Sequence, residues 1–504
     1  MSRLILTLTI FLTSAFGQSN SNFTLSFETP AFSVVAGETA TTTLKILTAP
    51  GFTQPIYLIP SSLPDGVTIA IPSPLVGSQA AELKVSAALS VKSQTFSVAI
   101  YGSGAGQNDS VNFSITVLPP GSANVPHSPP VATVESRTAA HWVGSWGASA
   151  VTPSNDSGAY YLTNVTVRQI AHLSIGTASA LRLRLSNSLG RQQVSFGAVH
   201  IAQWAGKSAI VPETDHVVTF CGSDIVTIPA GEEVWSDPIA FPQPAQADLA
   251  VSLYIPKTSN VPATMHTFGN QTAYFSLGDA TGHATLPSAV TDTVRPYLTG
   301  IEVDAPDAAA VVTLGDSLTD GMLSSLDQNR RWPDDLARRI GDKLGVVNAG
   351  IAGNCVLIDC VGPNALARFK RDVLQVAGVK YLILLAGVTD IGNAPGLTAA
   401  QLIAAYRTMV SLAHAANIIV SGATIPPFGG SQFATAAHEK LRQELNRFIR
   451  TGGAFDGVID FDKAMADPAN PAILLAEFDG DHIRPNDAGY QAMANAVDLA
   501  LFNR

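Results

Sequence analysis

Ala309-Ala310-Val311-Val312-Thr313-Leu314-Gly315-Asp316-Ser317-Leu318-Thr319-Asp320-Gly321 is the stretch from which the fold is read. Its first six residues are small, apolar or β-branched without alternation, the pattern of a strand buried on both faces in a parallel sheet. The strand stops at Gly315 and small polar residues follow. Such a stop leaves Ser317 at the carboxyl edge of the sheet, where open α/β folds hold their ligands. A serine there is a candidate nucleophile, inert without a base to take its proton. The candidate base is His482, in Asp479-Gly480-Asp481-His482-Ile483-Arg484-Pro485.

Further buried strands are read at 345–348, 380–387, 417–424 and 457–461. Helix-length apolar periodicity occurs at 332–344, 398–415, 435–450 and 487–501. Alternating strand and helix implies a parallel sheet with helices on both faces, here over residues 306–504.

Upstream the period changes to two. Residues 39–47 and 94–101 alternate between turn signals such as Pro64-Asp65-Gly66 and Gly102-Ser103-Gly104. That pattern predicts an Ig-like antiparallel sandwich over 18–117. Residues 118–140, which include Leu118-Pro119-Pro120 and Ser128-Pro129-Pro130, read as a proline-rich linker. A second β-rich domain, 141–305, is expected to be a sandwich of jelly-roll-like type. Its strands include 180–186, where Leu and Arg alternate, 215–220 and 249–255. Trp142 and Trp146 near its start are either core anchors or a sugar platform.

A net charge of −10 leaves no basic surface for nucleic acid. Hydrophobic residues at 46% with 13% charged describe folded domains. Met1-Ser2-Arg3 and the apolar run to Phe16 have the form of a secretory signal, with cleavage expected after Gly17. The run is shorter than the ~20 residues a membrane span requires, so a mature protein without a span, secreted, periplasmic or on the cell surface, is expected. In an oxidising compartment Cys355 and Cys360 either close a small loop or stand as reduced neighbours. No metal-ligand spacing occurs among the ten histidines and three cysteines, and no metal or cofactor is expected.

Four blocks fall in order at strand ends: Gly315-Asp316-Ser317-Leu318, Asn348 to Asn354, Ala386-Gly387-Val388-Thr389-Asp390, and Asp479-Gly480-Asp481-His482. Together they resemble the GDSL, or SGNH, family of serine esterases. The resemblance implies a flavodoxin-like α/β/α domain with Ser317 as nucleophile, His482 as base and Asp479 orienting the histidine, Asp481 being its rival. It also implies oxyanion donors at the Ser317 and Gly353 backbone N–H groups and at an asparagine side chain, where this chain has Thr389. A threonine hydroxyl is shorter than an amide and rotates to other acceptors. Asn354 and Asn393 are the nearby amides open to the vacated role. Gly-x-Ser-x-Gly, the α/β-hydrolase signature, is absent because Thr319 stands at the second glycine.

The expected function is hydrolysis of short-chain, acetyl-type esters of carbohydrates through an acyl-enzyme, the partner being an ester substrate such as an acetylated polysaccharide. Two other readings stand beside it: a general short-chain carboxylesterase or lipase, and a catalytically weakened cell-surface carbohydrate-binding protein.

Overall fold

The computed structural model describes residues 23–27, 31–48, 52–60, 63–72, 75–104, 107–120, 140–151, 160–257, 261–394 and 396–503. The signal segment and residues 121–139 of the linker lie outside them. The chain forms two compact units, Met1–Arg137 and Thr138–Arg504.

In the first unit two four-stranded sheets share one core. One orders Phe23–Phe27, Thr39–Thr48, Gln79–Ala87 and Val67–Ala70, all antiparallel. The other orders Ala31–Val35, Gln107–Leu118, Gln94–Gly104 and Tyr57–Pro60, its first pair parallel. Alternation aims Leu44 and Ile46 of one sheet, and Val98, Ile100, Phe113 and Ile115 of the other, into the shared interior. Gly102 and Ser103 do not turn, as their composition suggests; they pair with Asp109 and Asn108, and the strand runs on to Gly104.

The second unit begins with antiparallel sheets. Six strands run in the order His216–Val217, Ala198–Gln203, Asp248–Ile255, Val165–His172, Ala273–Leu277, Val290–Asp292. Another sheet sets Ala180–Ser186 between Glu233–Trp235 and Leu298–Asp304, with Trp142–Gly147 beyond. In Ala180–Ser186 the leucines are buried, while Arg182 lies over Trp235 and Trp142 at 4.5 and 4.6 Å. Arg295 covers Trp146 at 5.1 Å. Guanidinium groups therefore cover one face of each of these tryptophans. The strand expected at 215–220 shrinks to His216–Val217.

Residues 309–503 build the α/β part. The strands of its main sheet are β1 Ala309–Gly315, β2 Leu344–Gly350, β3 Val379–Leu385, β4 Ile419–Ala423 and β5 Gly457–Ile459, all parallel in the order β2-β1-β3-β4-β5. Two long helices start where their caps dictate. Thr398 accepts the Gln401 N–H and Thr435 accepts the His438 N–H, opening Ala399–Ala415 and Ala436–Thr451. Two helices end sooner than their apolar period suggests. Trp332–Ile340 stops at Gly341, whose φ of 71° leaves the helical region, which frees Leu344 to begin β2. Asp487–Ala496 stops at an extended Val497 before the short turn Leu499–Phe502.

The antiparallel part and the α/β part share one hydrophobic core, from Val143 through Val497. Strand Trp142–Gly147 covers the outer edge of the parallel sheet. A Cβ at Gly345 would lie 2.0 Å from the Gly144 carbonyl oxygen, so the approach requires glycine. Ser174 Oγ accepts the Val346 N–H at 2.8 Å, satisfying an edge donor of β2.

Candidate active site

Gly315 is level with Gly350 and Leu385 in the register of β1 with β2 and β3, so the loops after all three strands open at one sheet edge. After β1 the chain enters the single turn Ser317–Asp320, capped by Asp316, whose carboxylate accepts the Leu318 N–H. Ser317 is buried, 4% exposed. Asn348 ties this turn to β2, its Nδ2 donating to the Thr319 carbonyl at 2.8 Å. Gly350 lies directly under it. A methyl there would meet the Asp320 nitrogen at 2.2 Å and its Cα at 2.7 Å. Gly350→Ala is therefore expected to displace the serine and cut kcat by about 100-fold, the usual effect of a misplacement near 1 Å. Unchanged kcat on p-nitrophenyl acetate would contradict this.

Burial pushes the Asp316 carboxyl up to about 7, against the N–H groups of Leu318, Thr389 and Gly387, while nearby Asp390 adds to the rise. Its folded value thus exceeds the ordinary 3.8. The stability it contributes is complete below about pH 4 and is lost as pH rises through 7. Asp316→Asn should flatten the fall in melting temperature between pH 5 and 8. Parallel curves for variant and wild type would count against this assignment.

Gly353 has φ of 79°, in the left-handed region that favours glycine. Neither its N–H nor that of Ser317 has an acceptor among the described residues. Asn354 is excluded as a replacement donor. Its amide donates to Val361 O and Pro363 O, both at 2.8 Å, while its oxygen accepts from Arg368. Asn393 is exposed at the end of helix Val388–Asn393, and Thr389 is buried in the first turn of that helix. Cys355 and Cys360 are disulfide-bonded, and Asp390 accepts the Val356 N–H beside them.

Sequence reasoning missed three groups that shape this edge. Arg368, fully buried, donates to Gly315 O, Ala349 O and Asn354 Oδ1 and pairs with Asp372. Asp320 accepts the Ala352 N–H at 2.7 Å and faces His266 Nε2 at 3.1 Å. His266 comes from the antiparallel part, and its other nitrogen faces Ser149 O. Burial disfavours charge on that imidazole, but Asp320 and oxygen acceptors at both nitrogens raise its pKa. No local period signals such pairings, because each joins distant segments.

The third group is Arg484. The structure brings Asp479 and His482 together, Oδ2 to Nδ1 at 2.5 Å, with the His482 N–H on Asp479 Oδ1. His482 has φ of 67°, and its side chain is 60% exposed. No described hydrogen bond joins it to Ser317. Ser317 Oγ instead accepts from Arg484 Nε at 3.4 Å, and Asp481 ion-pairs with that guanidinium.

Residues 313–492 match the model of the GDSL-like lipase/acylhydrolase family. No curated protein matches the chain. Among solved structures it is similar to a GDSL-like lipase from Bacteroides thetaiotaomicron, at 21% identity over 38% of this chain and 88% of that one, TM-score 0.32. It is similar also to a carbohydrate acetylesterase from Sinorhizobium meliloti, at 14% identity over 37% and 95%, TM-score 0.32. An aryl esterase from M. smegmatis is 17% identical over 38% and 96%, TM-score 0.32. With Ser317 at the strand end and the family match spanning all four blocks, residues 313–492 are a GDSL-like lipase/acylhydrolase domain, and the chain is a carboxylic ester hydrolase.

Proposed function

We propose that this hydrolase is an exported serine esterase that removes short acyl groups, acetyl above all, from carbohydrates. The observation that carries the reading is Ser317 at the carboxyl end of β1, with the Ser317 and Gly353 N–H groups lacking acceptors among the described residues. Ser317 Oγ attacks the ester carbonyl carbon while a base takes its proton. The carbonyl oxygen becomes an oxyanion held by the two N–H groups. Collapse expels the alkoxide, which leaves as the alcohol with the proton returned from the base. Water repeats the sequence on the acyl-serine and releases the acid. His482, oriented by Asp479, is the proposed base, and its exposed ring must turn inward over Oγ to act. Thr389 is the proposed side-chain donor.

The β2-β1-β3-β4-β5 order supports a flavodoxin-like catalytic domain. The two face-to-face sheets support an Ig-like module at 18–117, and the antiparallel sheets ahead of β1 support a jelly-roll-like one at 141–305. The disulfide supports an oxidising compartment, in line with export. A second reading, a catalytically weakened carbohydrate-binding protein, draws on Arg484 at the nucleophile and Thr389 in place of asparagine.

The test is to quench the reaction with p-nitrophenyl acetate and weigh the Ser317 peptide. An acetyl adduct there that decays as acetate forms is expected; turnover without it would sink the acyl-enzyme. Because the first unit contributes no catalytic block, a chain beginning at Thr138 should keep kcat on this soluble ester within about twofold. Loss of turnover in a folded truncated protein would refute that independence.

A further inference from the structure

The geometry points to Arg484 as the residue that limits this active site, because it occupies the position over Ser317 Oγ where a general base must stand. The inference rests on Ser317 being the nucleophile. Asp479-Gly480-Asp481-His482-Ile483-Arg484 contains two overlapping registers of the same spacing, Asp479 with His482 and Asp481 with Arg484. Both pairs form in the structure, each joining side chains three residues apart. Only the second register reaches the nucleophile: Arg484 Nε lies 3.4 Å from Ser317 Oγ, its side chain 21% exposed against 60% for His482. His482 has left-handed backbone, and its side chain stands at the rim while that of Arg484 stands at the serine.

A guanidinium is a permanent donor and takes no proton at any pH a protein survives. Its N–H occupies a lone pair of Oγ, and the hydroxyl proton stays where it is. Asp481 fixes the guanidinium there as an orienting carboxylate would fix an imidazole. The pocket thus has the nucleophile, the backbone donors and an orienting carboxylate, with a group at the base position that cannot do the base's work. Histidine Nε2 stands the same number of bonds beyond Cβ as arginine Nε. Arg484→His therefore carries a proton acceptor to the same reach, with Asp481 placed to hold its other nitrogen.

The test compares wild type, Arg484→His and Arg484→Gln, each checked for folding by its thermal midpoint, in two measurements. One is the rate at which a fluorophosphonate labels Ser317; the other is kcat on p-nitrophenyl acetate. General-base catalysis is worth about 10²–10⁴, so Arg484→His should raise both by roughly 100-fold. The gain should vanish with Asp481→Asn or Ser317→Ala. Arg484→Gln, which removes the charge without supplying a base, should gain less than about tenfold. Labelling no faster in folded Arg484→His than in wild type, or an equal gain in Arg484→Gln, overturns the assignment. If Ser317 takes no label in any variant while turnover survives Ser317→Ala, the nucleophile reading fails, and the proposal goes with it.

Discussion

Ser317→Ala is expected to reduce ester turnover to the uncatalysed background while leaving the thermal midpoint within a degree or two of wild type. The substitution removes one oxygen whose only described partner is a 3.4 Å contact from Arg484, so the folded state loses little. Its Cβ and backbone N–H remain, and so does the Asp316 cap on Leu318 that shapes the turn. The reaction loses everything that depends on the acyl-enzyme, since no second nucleophile replaces a missing one. Neighbouring donors still bind an oxyanion, so slow direct attack by water is the ceiling on what survives. Substrate affinity should change little, which separates loss of chemistry from loss of the pocket. Wild-type kcat in the purified variant would end the serine-esterase reading.

Arg368→Ala should have the largest effect on stability. The guanidinium lies fully buried where β1 and β2 end, and its donors serve Gly315 O, Ala349 O and Asn354 Oδ1 together with Asp372. Burial alone would raise the Asp372 pKa, but Arg371 and Arg368 hold it well below the usual carboxylate range. Truncation leaves acceptors without donors and a buried carboxylate with one cation fewer. Breaking such a group costs about 3–5 kcal/mol, or a fall in melting temperature of roughly 4–6 °C for a unit of this size. Arg368→Lys should recover little of it, because one ammonium does not span acceptors set in a planar fork. A fall of less than about 2 °C in Arg368→Ala would show these carbonyls to be satisfied by water, contrary to this account.

The two substitutions draw on different kinds of information. Ser317 is legible in the sequence because the strand feeding it is a continuous apolar run that stops at a glycine, and both features are local. The starts of helices Ala399–Ala415 and Ala436–Thr451 are legible for the same reason, since Thr398 and Thr435 act on N–H groups three residues on. So is the in-and-out alternation of Ala180–Ser186, which the burial follows from Ala180 to Leu185.

Arg368, His266 and Arg484 are not legible in this way. Each acts through partners brought from elsewhere: Arg368 on the ends of β1 and β2, His266 on Asp320, Arg484 on Ser317. Buried polar groups carry no periodicity, and the desolvation that forces them to pair exists only once the chain has closed around them. Asn354 shows the reverse. As a residue type it is a suitable oxyanion donor, yet the loop it closes takes both of its N–H groups. The sequence by itself determined the alternating α/β domain, the place of Ser317 at a strand end and the sheet edge on which the loops open, because propensity, capping and strand burial act over a few neighbouring residues. Which of two equally spaced Asp-x-x-basic pairs reaches Ser317 was decided only by the tertiary structure, since Ser317 and Arg484 lie 167 residues apart and meet only once the chain closes, with the His482 ring left 60% exposed.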